Sequence, residues 1–272
     1  MIRFGTSGNP PNFFKSKYGK DRKNAVDWIN SIGLNAYELL MTYGARTKVE
    51  TAEYVGKRAK ELDVEISVHG PYYVVLTSDR EKVVSRSINE LVKTLKLADI
   101  LGAKKVVLHP GFYNGNAIDR FVSGMKKVMN EYYGDAIVLP ETMGKKSQLG
   151  SVKEILEICE RTESVPCIDF GHVHARENGS LKTTQDFRNV IEQIEKVLGR
   201  EAVKKLHCHF YPVEFTDKGE RKHRAVTEKN VFPQFKHFAP VIKEFKMNPT
   251  LISESKDSQD IGALQMKRIM QR

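Results

Sequence analysis

Six side chains of types that bind metal ions lie at or near the ends of short apolar runs. They are His69, His109, Glu141, Asp169, His207 and Glu254. Any one of them alone would be an ordinary hydrogen-bonded polar residue at the end of a strand. Six in succession form a pattern that packing does not require. We therefore interpret them as parts of a single site.

Three imidazoles and three carboxylates form a mixed nitrogen and oxygen ligand set that suits zinc, manganese or iron. Because one tetrahedral zinc ion uses fewer ligands, the set predicts more than one metal ion, with a carboxylate bridging two of them. Two metal ions about 3.5–4 Å apart can activate water and stabilise the entering and leaving oxygens of a phosphodiester. The same ligand types would also serve a carbohydrate isomerase, whose metal holds sugar hydroxyls and polarises a carbonyl. Both reaction classes are therefore open at this point.

Eight β-rich runs occur along the chain, separated by helix-like segments, and the third to the eighth carry these side chains. The runs are IRFGTSG, AYELLM, EISVHG, KVVLHPG, AIVLPET, PCIDFGH, KLHCHF and TLISES. Between them, residues 86–101 and 151–160 place apolar residues three and four apart, as amphipathic helices do, and Ser151 followed by Glu154 is a helix-capping pattern. Alternating strands and helices predict parallel strands joined by right-handed crossovers. We predict an α/β TIM (β/α)8 barrel, a single domain over residues 1–272, with the six side chains facing one another at its carboxyl end.

Basic residues outnumber acidic ones, with 44 Lys and Arg against 34 Asp and Glu and a net charge of +10. A basic surface suits a polyanion such as nucleic acid, although enzymes without such a partner also have one. The three cysteines cannot all pair and lack C-x-x-C spacing, so they predict neither a disulfide framework nor a thiolate zinc site. With no bilayer-length apolar stretch and no signal-peptide pattern, we expect a cytoplasmic protein without a membrane partner.

Residues 211–234, YPVEFTDKGERKHRAVTEKNVFPQ, form the least regular segment and are highly charged. One interpretation is an excursion over the barrel mouth, because long loops in compact domains are often functional. The other is a solvated loop, which accounts for most of its charges.

Two motifs resemble the endonuclease IV family of apurinic/apyrimidinic endonucleases. PETMGKKSQLGSVKEI places a glutamate before a Gly-x-x-Ser-x-x-Gly turn made by Gly144, Ser147 and Gly150, and CIDFGHVHA carries an Asp-x-x-His pair, Asp169 and His172. The resemblance covers nearly the whole chain, from HGPYY through LHPG to LISES. It implies a xylose isomerase-like TIM barrel. It also implies zinc-dependent hydrolysis of DNA on the 5′ side of an abasic site, a step of base excision repair.

The resemblance also implies the metal ligands. A first zinc would bind His69, His109 and Glu141, and a second would bind Glu141, Asp169, His207 and Glu254. Glu141 would bridge the two ions, and Glu141 and Glu254 are the expected catalytic carboxylates. The expected cofactors are two Zn²⁺ ions, with Mn²⁺ or Fe²⁺ as alternatives.

A third zinc of the family uses the histidine of Asp-x-x-His together with an Asp-x-His pair. His172 and His223 match its histidines, but Arg221 stands where the aspartate should be. The alternatives are that Glu220 or His209 supplies the ligand, that the ion is lost, or that Arg221 provides a fixed positive charge.

The family penetrates abasic DNA with a tyrosine that follows the first metal histidine. Tyr72 holds that position with Tyr73 beside it, and Arg46 lies on the loop after the second strand, where it would reach a phosphate. The alternatives are tyrosines that cover apolar side chains and a solvated loop arginine. The expected partner is double-stranded DNA containing abasic sites, bound by a monomer.

Two rival functions are open. A sugar isomerase or epimerase of the xylose isomerase-like barrels would share the scaffold, and Glu38 in YELLM is typical of both groups. The Ser147 turn, the Asp169 and His172 pair and the basic charge favour the nuclease. A DNA-binding homologue without catalysis is the other rival, prompted by Arg221.

Overall fold

Eight parallel strands form a closed barrel in the computed structural model, which describes residues 1–272. The barrel strands are β1 (Arg3–Ser7), β2 (Ala36–Leu40), β3 (Glu65–His69), β4 (Lys105–Leu108), β5 (Ile137–Pro140), β6 (Cys167–Asp169), β7 (His207–Phe210) and β10 (Thr250–Ser253). They pair in the order β5, β4, β3, β2, β1, β10, β7, β6, and a parallel bridge between Glu141 and Cys167 joins the two end strands. The predicted TIM barrel is confirmed.

Helices surround the barrel and connect successive strands. They are α1 (Pro11–Lys15), a 3-10 turn (Arg22–Asn24), α2 (Ala25–Ser31), α3 (Val49–Glu61), α4 (Glu81–Ile100), α5 (Ala117–Glu131), α6 (Val152–Thr162), α7 (Phe170–Arg176), α8 (Thr184–Leu198), α9 (Arg200–Lys204), α10 (Phe235–Glu244) and α11 (Gln259–Met270). The two segments predicted as helices lie in α4 and α6. The capping pattern is confirmed as a capping box, because the Ser151 hydroxyl accepts from the backbone of Glu154 and the Glu154 carboxylate accepts from the backbone of Ser151.

The barrel and its helices share one apolar core. Sixty buried residues form a continuous cluster, and the last three residues of strands KVVL and IVLP are buried and apolar because helices cover the outer face of the barrel. The three cysteines, Cys159, Cys167 and Cys208, are buried and free, as their spacing predicts. None of the helices combines the length and the apolar character that crossing a bilayer requires.

Part of the segment 211–234 is ordered into an antiparallel hairpin of β8 (Val213–Thr216) and β9 (Gly219–His223), which corrects the expectation of an irregular loop. The hairpin packs on the turn that follows β5, where the backbone N–H of Glu220 donates to the carbonyl of Gly144 at 3.0 Å. Gly219 has φ of +94°, and a Cβ there would lie 2.1 Å from that carbonyl oxygen. Glycine therefore permits the close approach that places the hairpin beside the barrel mouth.

Candidate metal centre

A first ligand group lies where β3, β4 and β5 end. His69 is the last residue of β3, and His109 and Glu141 directly follow β4 and β5. Oε2 of Glu141 lies 2.9 Å from Nε2 of His109 and 3.4 Å from Nε2 of His69. The structure thus brings together the three residues assigned to the first metal ion, with their potential ligand atoms within 4.8 Å of one another.

A second ligand group surrounds the imidazole of His209. Nδ1 of His209 lies 3.0 Å from Oε1 of Glu141, 3.6 Å from Oδ2 of Asp169 and 3.6 Å from Oε1 of Glu254. The three carboxylates are those predicted for the second metal ion. Glu141 therefore has one oxygen in each group, which is the arrangement of a bridging ligand.

The histidine of this second group differs from the sequence prediction, which names His207. His207 and His209 both point into the barrel because side chains two apart on a strand share a face. The register pairs His209 with Asp169 at the carboxyl end, whereas His207 pairs with Cys167 one layer deeper and hydrogen-bonds to Glu38 at 2.9 Å. We correct the assignment to His209, since His207 does not lie beside the three carboxylates.

A third ligand group joins α7 to the hairpin. Nε2 of His172 lies 3.0 Å from one oxygen of Glu220, and Nε2 of His223 lies 3.2 Å from the other. Arg221 points away and pairs with Glu214 at 2.7 Å, with 65% of its side chain exposed. Of the alternatives left open by the sequence, the geometry favours Glu220 as the substitute carboxylate and contradicts a fixed positive charge from Arg221.

The orientation of the histidines suits metal binding. Nδ1 of His69, His172 and His223 hydrogen-bonds to the backbone carbonyls of Gly70, Thr142 and Glu254 at 3.0, 2.7 and 3.1 Å respectively. Each bond fixes the tautomer that carries its proton on Nδ1, which leaves Nε2 free to act as a ligand.

Two buried carboxylate oxygens also indicate a cation. Oε2 of Glu141 and Oδ2 of Asp169 are inaccessible to solvent, and the imidazole nitrogens nearest to them, at 2.9 and 3.5 Å, do not have hydrogen-bond geometry. Burying a charged oxygen without a partner is costly, and a bound metal ion removes that cost. The residues present therefore fit the metal ions that the ligand set implies.

Protons balance the charge of this centre when no metal is bound. Burial disfavours the imidazolium forms of His69 and His172, but Glu141 and Asp169 beside them raise the pKa of His69 to about 9 and of His172 to about 10. Burial also acts to raise the pKa of Glu141, yet the imidazoles of His109 and His209 hold that pKa well below its usual range. Metal ions that replaced these protons would release them on binding.

Glu38 of β2 contacts the His209 ring on the side away from the other carboxylates of the second group. The sequence did not predict a role for it in the site. It is fully buried, and its Oε1 lies 2.9 Å from Nε2 of His209. The hydroxyl of Ser67 donates to its other oxygen at 2.8 Å. Because a carboxylate behind a metal-binding histidine fixes the ring and raises its basicity, Glu38 would orient His209 toward the metal.

The three residues predicted to contact DNA lie at the mouth of the barrel. The ring of Tyr72 sits 5.4 Å from that of His69 and 5.0 Å from that of His109, and over half of the side chain is exposed. Tyr73 is exposed beside it. Arg46 is exposed and has no ion-pair partner, so its charge is available to a ligand.

Comparisons with known proteins place this geometry among related barrels. A family described as xylose isomerase-like TIM barrel matches residues 26–271. An uncharacterized protein from Methanocaldococcus jannaschii is 32% identical over 264 residues, which cover 94% of this chain and 92% of that protein. A probable endonuclease 4 from Aquifex aeolicus is 26% identical over 170 residues, 59% of this chain and 60% of the relative.

Two solved structures share the fold at low sequence identity. Endonuclease IV from Thermus thermophilus superposes with a TM-score of 0.74 at 18% identity, over 99% of both chains. A D-tagatose 3-epimerase-like protein superposes with a TM-score of 0.70 at 19% identity, over 99% of this chain and 96% of that one. Because one is named an endonuclease and the other an epimerase, the fold does not decide the reaction.

Proposed function

We propose that the chain, which belongs to the xylose isomerase-like TIM barrel family, is a metal-dependent endonuclease that hydrolyses DNA on the 5′ side of an abasic site. The observation that carries this proposal is the presence of three adjacent ligand groups, two of them sharing Glu141. Adjacent metal ions can stabilise both the entering and the leaving oxygen of a phosphodiester, whereas one ion is enough to polarise the carbonyl of a sugar. The relatives named probable endonuclease 4 support the same conclusion.

The ligand groups define where metal ions, Zn²⁺ in the first instance, would be held. They are His69, His109 and Glu141; Glu141, Asp169, His209 and Glu254; and His172, Glu220 and His223. Bound there, the ions would supply an activated water and charge stabilisation for the entering and leaving oxygens. Glu141 and Glu254 are the catalytic carboxylates of the proposal, and the Ser7 hydroxyl holds Glu254 by donating to its Oε1 at 2.8 Å.

Recognition of the lesion would depend on the cost of distorting the duplex. A nucleotide that lacks its base loses less stacking and pairing energy on extrusion than an intact nucleotide does. Tyr72, beside His69 and His109, would contact the gap, and the exposed Arg46 would contact a phosphate. Contacts of this kind hold the backbone without reading sequence.

The test is incubation of the zinc-loaded protein with an end-labelled duplex that contains one tetrahydrofuran abasic analogue. The analogue cannot undergo β-elimination, so a nick on its 5′ side requires hydrolysis. We expect that nick with wild-type protein, none with the Glu141→Gln variant and none on the intact duplex. If the zinc-loaded wild-type protein leaves the duplex uncut, the proposed reaction is wrong.

A further inference from the structure

Five exposed aromatic side chains border the metal centre, on the loops that follow β2, β3 and β4. They are Tyr43, Tyr72, Tyr73, Phe112 and Tyr113, with exposed fractions of 77, 56, 51, 59 and 53%. We call this set the aromatic rim. The three strands are neighbours in the barrel, so the loops are neighbours at its mouth. Several large aromatic side chains exposed on neighbouring loops, unlike single scattered ones, indicate a binding surface.

The loops of the aromatic rim are held against one another. A Cβ on Gly111 would lie 2.6 Å from the hydroxyl of Thr77, which shows how closely the loop after β4 packs on the loop after β3. Nε of Arg120 donates to the carbonyl of Thr77 at 2.8 Å, and its guanidinium also bonds to Asn114. The backbone N–H of Ala45 donates to Glu90 at 3.0 Å, next to the hydroxyl of Tyr73.

The backbone that carries Phe112 and Tyr113 is also hydrogen-bonded to the turn that follows β5. The N–H of Tyr113 donates to the carbonyl of Ser147 at 3.0 Å, and the N–H of Leu149 donates to the carbonyl of Gly111 at 3.0 Å. Both side chains nevertheless remain in solvent instead of packing on the core. A fixed backbone that presents aromatic faces to solvent is prepared for a ligand, because little conformational freedom is left to lose on binding.

The surroundings of the aromatic rim decide which ligand it suits. The rim reaches the metal centre through Tyr72, whose ring lies 5.0 Å from that of His109. Exposed cations without ion-pair partners, Arg46 and Lys145, lie on the same loops and on the adjoining turn. Aromatic faces combined with free positive charges match a nucleic-acid strand, whose bases stack on the rings while its phosphates meet the cations.

We propose that the aromatic rim binds nucleobases that have left the duplex stack, so that the preferred substrate is DNA with unpaired nucleotides next to the scissile phosphate. Phe112 and Tyr113 are the main stacking residues, because they belong to no ligand group. This inference rests on the proposed function for the place of cleavage. The stacking itself requires only that a strand with unpaired bases lie across the mouth.

The test is a titration of an end-labelled single-stranded oligodeoxynucleotide, which has no abasic site for the protein to cleave, with the full-length zinc-loaded protein, followed by fluorescence anisotropy. Phe112→Ala and Tyr113→Ala should each weaken binding about tenfold, the usual effect of removing one base-stacking ring. Tyr133→Ala is the matched control, because Tyr133 is 90% exposed and precedes β5 at the opposite end of the barrel. It should leave the affinity unchanged.

Two further substitutions separate stacking from general hydrophobic contact. Phe112→Trp should retain the affinity, and Phe112→Leu should lose it, because leucine has similar bulk but no aromatic face. Equal affinity for all variants, or no binding of the strand by wild-type protein, would overturn the inference. Binding that depends on the rim residues, without any cleavage of abasic DNA, would contradict the proposed function alone. Cleavage of abasic DNA with strand binding that is unaffected by the rim substitutions would contradict this inference alone.

Discussion

Glu141 connects the parts of the metal centre. Its Oε2 faces His69 and His109, and its Oε1 faces His209 at 3.0 Å and His172 at 3.6 Å. The side chain is fully buried, and Oε2 has no hydrogen-bond partner. A carboxylate in such a position is stable only while cations or protonated imidazoles surround it. We therefore expect the residues around Glu141 to affect metal binding even where they are not ligands.

Glu38 is the clearest example of a residue that is not a proposed ligand but should affect metal binding. Its carboxylate lies behind His209, so Glu38→Gln should remove the negative charge that orients the ring and lower metal affinity about 10- to 100-fold. Competition with a chromophoric chelator measures this affinity. Glu244→Gln, which alters a surface pair with Arg188, is the control and should behave like wild type. Unchanged affinity in Glu38→Gln would show that the contact does not act on the metal.

Glu220 and Arg221 are adjacent in the sequence, but we expect only substitution of Glu220 to lower the metal content. Glu220→Gln removes the carboxylate between His172 and His223, so zinc-loaded protein should hold one metal ion fewer per chain after gel filtration. Arg221→Ala should leave the metal content unchanged, because Arg221 points toward Glu214. Inductively coupled plasma mass spectrometry measures the metal content of both variants and of the wild-type protein. Equal content in wild type and Glu220→Gln would mean that this group holds no ion.

Residue types in the sequence predicted most of the side chains that the structure brings together in this candidate centre, and two details needed the structure. The sequence prediction named His207 where the structure brings His209, because both side chains point into the barrel and only the register with β6 shows which one reaches Asp169. The resemblance to the endonuclease IV family implied an aspartate at position 221, where this chain has arginine. A carboxylate one residue earlier can serve only because the hairpin turns Glu220 toward His172.

The barrel strands were evident from the sequence because most of their residues are buried, and apolar residues recur in every run. The β8–β9 hairpin was not, because it lies on the surface, its strands carry many charges, and a bulge between Glu214 and Phe215 breaks their alternation. Its position depends on close backbone contact with the turn after β5. Short local patterns do not encode such long-range contacts.

Substitution of Gly219 tests whether its close contact with the turn after β5 positions this hairpin. Gly219→Ala should destabilise the protein by about 1–3 kcal/mol because of its left-handed backbone, and should also displace Glu220, because the new Cβ would meet the carbonyl of Gly144. The matched control is Gly199→Ala, where φ is +81° but no atom lies within 4 Å. Both variants should lose stability in urea unfolding, and only Gly219→Ala should lose a metal ion. Equal metal content in the two variants would contradict a role for this contact.

The opposite end of the barrel carries a polar contact that links three strands. Oε1 of Glu65 in β3 accepts from Lys105 of β4 at 2.7 Å and from Thr250 of β10 at 2.8 Å. Burial acts to raise the pKa of Glu65, but Lys105 outweighs it and holds that pKa below the usual value of 4.5. The folded protein therefore binds fewer protons than the unfolded chain as the pH falls through this range.

This linkage predicts acid sensitivity. The contribution of Glu65 to the free energy of unfolding is complete above pH 4.5 and is lost as the pH falls through its lower folded pKa. Glu65→Gln should cost about 1–3 kcal/mol at pH 7, since a hydrogen bond between charged groups is lost. Urea unfolding of both proteins at descending pH should show the difference shrinking toward pH 3. A difference that is independent of pH would contradict the linkage.

At the scale of the whole molecule, the parallel barrel gives the protein two distinct ends. All eight strands direct their carboxyl ends to one side, where the ligand groups, the aromatic rim and the hairpin lie. The net charge of +10 belongs to the whole surface, however, and exposed lysines also line a cleft at the amino end. Charge alone therefore does not say which end meets DNA. The proposed function requires the carboxyl end.

Two double variants with the same change in net charge distinguish the ends. Arg46→Ala with Lys145→Ala removes two cations at the mouth, and Lys57→Ala with Lys60→Ala removes two at the amino end; all four side chains are exposed and lack ion-pair partners. Binding of an abasic duplex, measured in EDTA over a range of salt concentrations, gives the slope of log affinity against log salt. If both mouth residues contact phosphates, the first variant should reduce that slope by about 1.8, because each contact contributes about 0.9. The second should leave it unchanged. The reverse result would place the duplex against the amino end, away from every metal ligand, and would contradict cleavage at the proposed centre.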